Sequence, residues 1–173
     1  MNSSIIALTA TTVSTYISIG STSYKQHYQH LWENGDSSPY LKSSFTEEIV
    51  QKELENSNLA HFLVYYGKKS VGIVKLILDA AIGDYTPQDA LLLEKVYLLK
   101  EYAGRGIGRK VLSFVEAYAL ERNKGALWLD TMKNGPALYF YLSYGFEIWG
   151  DQRLEFENVR EGEKPMYILG KRL

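Results

Sequence analysis

Gly104, Gly106 and Gly108 stand at alternate positions between the apolar run Val96-Tyr97-Leu98-Leu99 and a helix-forming stretch that begins Arg109-Lys110-Val111-Leu112. Glycine lets a backbone approach a ligand closely and tolerates positive φ angles. A helix opening at Gly106 leaves the amides of Arg105 to Arg109, Ile107 among them, unpaired and pointing outward, where the helix dipole favours an anion. The dipole itself contributes only about 0.3–1 kcal/mol per charge. Most of the grip must therefore come from several amide hydrogen bonds, with Arg105 and Arg109 adding positive charge. The chemistry indicated is the binding of a phosphate-bearing cofactor, and a pyrophosphate suits it.

The elements around this loop follow from periodicity and punctuation. A short strand near Ser4 to Leu8 leads into a helix from about Thr11 to Trp32, and Asn34 to Pro39 reads as a loop. A second helix spans roughly Ser44 to Asn56, with Phe45, Ile49, Val50 and Leu54 apolar and acidic residues in its first turn. His61 to Tyr66 and Ser70 to Leu78 read as strands joined through Gly67-Lys68-Lys69. A polar break at Gly83 to Asp89 precedes the apolar run Leu91 to Leu99. The helix Gly106 to Asn123 follows, with Ile107, Val111, Leu112, Val115, Tyr118 and Ala119 on one face and Gly125 at its end. Ala126 to Met132 is another strand, and Pro136 and Gly145 bracket a short helix. Strands around Phe146 to Trp149 and Met166 to Leu169 complete the order β-α-α-β-β-β-α-β-α-β-β. The expectation is an α/β protein of the mixed-sheet (α+β) kind, residues 1–173 forming one domain, with the glycine loop at the end of a middle strand. Ligands of open α/β sheets bind at such strand ends.

Composition narrows the function classes. With 173 residues, 46% apolar and 23% charged, the chain is ordinary for a globular domain able to bury a core. A net charge of −1 gives nucleic acid no concentrated positive surface. Cysteine is absent, so a disulfide, a thiolate zinc site and a cysteine acyl-enzyme are excluded. The N-terminal residues lack the pattern of a signal peptide, and no apolar run reaches the roughly 18 residues of a membrane span. A cytoplasmic location is the default expectation. The three histidines, His27, His30 and His61, have no metal-ligand spacing, and His27 and His30 read as part of a solvated helix face. Glu33, Asp36, Asp79 and Asp84 are candidates for the mouth of an amine site, with solvated loop charges as the alternative.

Two common phosphate motifs fit the loop poorly. A nucleotide P-loop needs G-x-x-x-x-G-K-[ST], and residues 104–110 have neither that spacing nor the hydroxyl. A dinucleotide fold needs G-x-G-x-x-G directly after a strand, with an acid about 20 residues on. Asp130 sits near that distance, but the glycines run G-x-G-x-G and follow an antiparallel region.

The stretch Ala103-Gly104-Arg105-Gly106-Ile107-Gly108 instead resembles the [QR]-x-x-G-x-[GA] loop of the GCN5-related N-acetyltransferase (GNAT) family. The second family signature, N-x-x-A-x-x-x-Y-x-x-x-G-F, is met by Asn134, Ala137, Tyr141, Gly145 and Phe146. The resemblance covers the whole chain. It implies the acyl-CoA N-acyltransferase fold, with a central, mostly antiparallel sheet flanked by helices. It also implies acetyl-CoA as cosubstrate, no metal, and a small-molecule amine as acceptor, with no role for nucleic acid or membrane; a homodimer stays open. One departure stands out: Ala103 replaces the Gln or Arg that usually helps hold the pyrophosphate loop. The stretches from Tyr40 (Y-L-K-S-S-F-T-E-E-I-V-Q-K-E-L), Leu93 (L-E-K-V-Y-L) and Ala119 (A-L-E-R-N-K-G-A-L-W-L) resemble more specifically the PaiA-type bacterial spermidine/spermine N-acetyltransferases.

The implied reaction is attack of an amine on a thioester. A lysine-like amine of pKa near 10.4 is neutral in roughly one molecule in 2,500 at pH 7, a cost of about 4.6 kcal/mol. A general base, or water leading to one, removes much of that cost. By resemblance Glu94 holds the position of the family's catalytic glutamate; a solvent-facing strand carboxylate, or a salt bridge to Lys95 or Arg122, is the alternative. Tyr141 matches the tyrosine that faces the cofactor sulfur and can return a proton to the leaving thiolate; core packing is its alternative. The family also implies that Val96, Tyr97 and Leu98 pair with the pantetheine arm beside a strand bulge. Asn134 would contact that arm, hold the loop, or cap the short helix. Absence of cysteine and of an activated serine favours direct transfer over an acetyl-enzyme. The alternatives are the same chemistry on a protein N-terminus, an amino acid or an aminoglycoside, or a non-catalytic acyl-CoA-binding module.

Overall fold

Strand β4, Ala90–Leu98, runs through the middle of the sheet, and its residue sequence dictates how the sheet opens. The computed structural model describes residues 2–173. On one side of β4 lie β3 (Lys69–Ile77), β2 (Leu59–Tyr66) and β1 (Ser3–Ala7), all antiparallel. On the other lie β5 (Ala126–Met132), β7 (Pro165–Arg172) and β6 (Glu147–Arg153), giving the order β1-β2-β3-β4-β5-β7-β6. Only β4 and β5 run parallel, joined by the crossover helix α4, Ile107–Leu120. The mostly antiparallel mixed sheet with flanking helices is the architecture the sequence indicated.

Apolar side chains alternate across the strands and so fill both faces of the sheet. One face, with Val74, Leu76, Leu91, Leu93, Leu127 and Leu129, packs on Ile107, Val111, Leu112, Val115 and Ala119 of α4 and on α5, Ala137–Tyr144. The other, with Leu63 and Ile73, packs on α1 (Val13–Tyr28) and α3 (Glu47–Leu54) through Tyr16, Tyr24 and Val50. The aromatic residues concentrate there: Tyr24, Tyr28, Tyr40, Phe45 and Tyr97 contact one another, with Tyr24 and Tyr40 stacked at 4.1 Å between ring centroids.

Several boundaries differ from the sequence reading, each for a local reason. The first helix stops at Tyr28, and Gln29–Leu31 tightens into a 3-10 turn, so His30 lies beyond it. Asn34 to Pro39 is not all loop: Ser38–Ser44 forms an additional helix, α2, with Pro39 in its first turn, where proline's fixed φ and missing N–H cost nothing. Phe45 leaves helical φ/ψ, and Thr46 caps α3 by accepting from the Ile49 amide, so the expected Ser44 to Asn56 helix begins only at Glu47 and ends at Leu54. At the end of α4 it is Asn123, at φ 57°, that enters the left-handed region, while the Gly125 amide donates to the Asp89 carbonyl. The two C-terminal strands extend several residues beyond their apolar centres because each pairs along its full length.

Candidate active site

Two features of β4 create an opening in the sheet. Pairing with β3 runs Lys75↔Lys95 and then Leu76↔Leu93, so Glu94 is an extra residue, a β-bulge. The bulge resets the alternation: Leu91 and Leu93 face the α4 core before it, Val96 and Leu98 after it, and Tyr97 packs on the opposite side. Meanwhile β4 and β5 pair only at Ala90↔Ala126, Leu91↔Leu127 and Leu92↔Trp128. Beyond Leu92 and Trp128 the two strands diverge, leaving the backbone of residues 93–98 without a strand partner on that edge. A cavity of about 480 Å³ occupies the fork, and Glu94, Val96, Tyr97, Asp130, Asn134 and Tyr141 are among its lining residues.

The glycine loop closes one end of this arrangement. Gly104 and Gly106 both adopt φ +74°, a region costly for residues with a Cβ. Gly108 serves a different purpose: a Cβ there would sit 3.0 Å from the Phe140 ring, so its absence lets α4 approach α5. The first backbone bond at this end of α4 runs from Lys110 to the Gly106 carbonyl, and no carbonyl accepts from the amides of residues 105–109. The sequence expectation of an open, anion-ready helix terminus matches this backbone. The two arginines are engaged elsewhere. Arg105 lies over Tyr102 and Tyr66, at 5.2 and 5.7 Å from the ring centroids, and Arg109 donates to the Ser143 carbonyl and hydroxyl at 3.4 and 3.3 Å. Ala103 is extended, and its amide donates to the Lys100 carbonyl at 3.1 Å.

Glu94 is embedded in a chain of charges. Lys75 Nζ pairs with Glu94 Oε2 at 2.7 Å and donates to Glu53 Oε1 at 2.6 Å, His61 Nε2 meets Glu53 Oε2 at 2.8 Å, and Lys95 Nζ lies 3.5 Å from Glu94 Oε2. Arg122 takes no part; its guanidinium stacks on Tyr118. Burial works against the charge on Glu53, but its bonds from His61 and Lys75 prevail and hold its carboxyl at about 2. Burial likewise opposes the charge on Lys75, yet Glu94 and Glu53 raise its pKa overall; for Lys95 burial wins and the pKa falls. Tyr141 is buried and lines the cavity, and desolvation pushes its phenol well above the usual range, so the hydroxyl stays protonated.

Asn134 does not cap the short helix. Pro136 occupies the cap position, and Asn134 Nδ2 donates to the Gly162 carbonyl at 3.2 Å, tying the β5–α5 turn to the β6–β7 connection. His27 is not on a solvated face: its Nε2 bonds the Leu98 carbonyl at 2.9 Å, and both His27 and His30 line the cavity. Glu33, Asp36, Asp79 and Asp84 lie outside the cavity lining; Asp36 accepts from the Ser38 amide and Asp79 pairs with Lys124 at 2.5 Å. The acids that do line it are Glu94, Asp130 and Glu163. Alternation along β5 could have pointed to Asp130, since Trp128, Asp130 and Met132 must face away from Leu127 and Leu129. Glu163 carried no periodic signal. Among the described residues no group of three or more His, Cys, Asp or Glu could hold a metal ion, and no helix is long and apolar enough to cross a membrane.

Comparison with known proteins gives this geometry a family. Residues 23–146 match the acetyltransferase (GNAT) family model. An uncharacterized N-acetyltransferase in the pepI 3' region of Lactobacillus delbrueckii subsp. lactis is 27% identical over 145 residues, covering 80% of this chain and 82% of the relative. Streptothricin acetyltransferase of Streptomyces lavendulae is 33% identical over 91 residues, 51% of this chain and 48% of its own length. Among solved structures, the PaiA N-acetyltransferase from Thermoplasma acidophilum, in complex with coenzyme A, superposes with a TM-score of 0.79 at 17% identity, covering 100% of both chains. The spermidine/spermine N-acetyltransferase SpeG from Vibrio cholerae gives a TM-score of 0.70 at 18% identity, covering 98% of this chain and 92% of that one. At these identities the structural likeness is one of fold. The chain belongs to the GNAT acetyltransferase family, and is an acyltransferase.

Proposed function

We propose that the protein transfers an acetyl group from acetyl-CoA directly to a primary amine, with a polyamine such as spermidine as acceptor. The observation that carries this reading is the fork between β4 and β5, which brings a free strand edge, Glu94 and Tyr141 to one cavity. The edge at Val96, Tyr97 and Leu98, which has no strand partner and where only the Leu98 carbonyl is bonded by His27, suits the amides of a pantetheine arm, and the open amides of residues 105–109 suit a pyrophosphate. With Arg105 and Arg109 engaged by side-chain partners, the loop's grip rests on backbone amides, which also makes Ala103 tolerable. Acetyl-CoA bound there supplies the activated acetyl group.

The chain's own groups then handle protons. Glu94, held at the bulge through Oε2 by Lys75 and Lys95, draws the amine's proton through water. Tyr141, kept protonated by burial, donates toward the leaving sulfur. Asn134 holds the turn that carries α5, and with it Tyr141, against the fork. PaiA- and SpeG-like folds favour a polyamine acceptor, whereas the partial identity to streptothricin acetyltransferase favours an antibiotic amine. Incubation with acetyl-CoA and an equimolar panel of spermidine, streptothricin, an aminoglycoside and an unblocked peptide, read by mass spectrometry, separates them. Acetylspermidine as the main product supports the proposal; acetylation confined to another amine overturns the polyamine assignment.

A further inference from the structure

Asp130 stands two residues beyond the last β4–β5 pair, as Glu94 does on the opposite strand, so the two acidic residues flank the fork on its two strands and both line the cavity. Their surroundings are opposite in kind. Glu94 is compensated by two lysines, whereas Asp130 forms no ion pair among the described residues. Its Oδ2 accepts from the neutral amide of Gln152 at 3.1 Å, and its Oδ1 is shielded from water with no donor at all. A buried carboxylate oxygen without a donor is costly and calls for a reason. Burial accordingly raises its pKa, with only Gln152 opposing. Among the described residues Glu163 is the other cavity-lining acid without an ion pair. Positive charge is therefore already supplied at the Glu94 side of the cavity and missing at the Asp130 side.

Resting on the acetyltransferase reading above, we infer that Asp130 is the acceptor-anchoring residue, binding a positive charge of the acceptor other than the amine that reacts. The neutral, attacking amine belongs beside Glu94, where Lys75 and Lys95 disfavour a further cation. A second ammonium on the same molecule supplies the donor that Asp130 lacks once the carboxylate turns toward the cavity. A diamine or polyamine meets both demands at once, and a monoamine meets only the first.

The test compares 1,4-diaminobutane with butylamine, which share a carbon chain and differ in one ammonium. In wild-type protein the diamine is expected to have the lower KM. In Asp130→Asn the diamine's KM rises about 10- to 100-fold, the range for losing a hydrogen bond to a charged group, while butylamine and acetyl-CoA change less than about two-fold. Asp130→Glu, which keeps the charge, restores part of the preference, and unchanged melting excludes misfolding. Equal KM values in wild type and Asp130→Asn overturn the inference while leaving the transferase reading intact. If wild type acetylates neither amine, these two are not acceptors while the transferase reading stands on its own spermidine test, and calorimetric titration of diaminobutane into the CoA-bound protein decides the anchor separately. Binding lost in Asp130→Asn then supports the anchor; equal binding, or no binding by wild type, overturns it.

Discussion

Tyr141 and Glu94 divide the proton chemistry because their environments differ. The phenol is buried, which raises its pKa, so it stays protonated through the working pH range and can donate a hydrogen bond to the charge that develops on sulfur. The carboxylate is held by two ammonium groups at one oxygen, Oε2, which orients it while the residue stays exposed to the cavity. Replacing Tyr141 by Phe removes the donor and little else, because the ring still packs against Phe140 and Phe146. We expect kcat to fall about 10-fold or more, with the KM for acetyl-CoA within about two-fold, as for a group acting only in the transition state. Steady-state kinetics check this, and an unchanged kcat removes Tyr141 as the acid.

At the scale of elements, the loop and the fork are separate devices on one strand. Gly104 has open space around its missing Cβ, so only its φ of +74° resists substitution. Gly104→Ala should therefore cost about 1–2 kcal/mol and weaken CoA binding, read by chemical denaturation and calorimetry; loss of neither contradicts the loop's assigned role. Much of this level was legible in the chain. The alternate glycines and the Asn134 to Phe146 signature marked the loop, the short helix and Tyr141 before any coordinates. The ion pairs of Glu94 were less so: a bulge depends on how two strands register, and Lys75 lies 19 positions away in sequence by simple subtraction from Glu94. Asp130 was visible as a poor match to a dinucleotide motif and through the alternation along β5, neither of which gave it a role. Its meaning depends on which cavity-lining acids lack a cation, and that is a property of packing. The later start of the second expected helix escaped for a similar reason, since Thr46 caps from inside an apparently continuous amphipathic run.

Across the whole molecule, the network from His61 through Glu53 and Lys75 to Glu94 joins β2, α3, β3 and β4 on one face of the sheet. Glu53 has its pKa depressed from 4.5 to about 2, so it contributes stability above its unfolded value that is lost as pH falls through that window. The wild type should melt at progressively lower temperature from about pH 4.5 toward pH 2, and Glu53→Gln should show a shallower decline. Differential scanning calorimetry at matched ionic strength gives both slopes; identical slopes would remove Glu53 from the acid response. The same network holds the bulge on which the fork depends, so stability and site geometry share residues here.

Release of CoA thiol from acetyl-CoA, with and without spermidine, across about pH 6 to 9, tests the central claim most directly. The account predicts release that depends on spermidine and rises with pH as the neutral amine becomes available. Acetyl-CoA that binds tightly yet releases no thiol with spermidine or any other amine would contradict it, leaving the fork as a binding site without transfer.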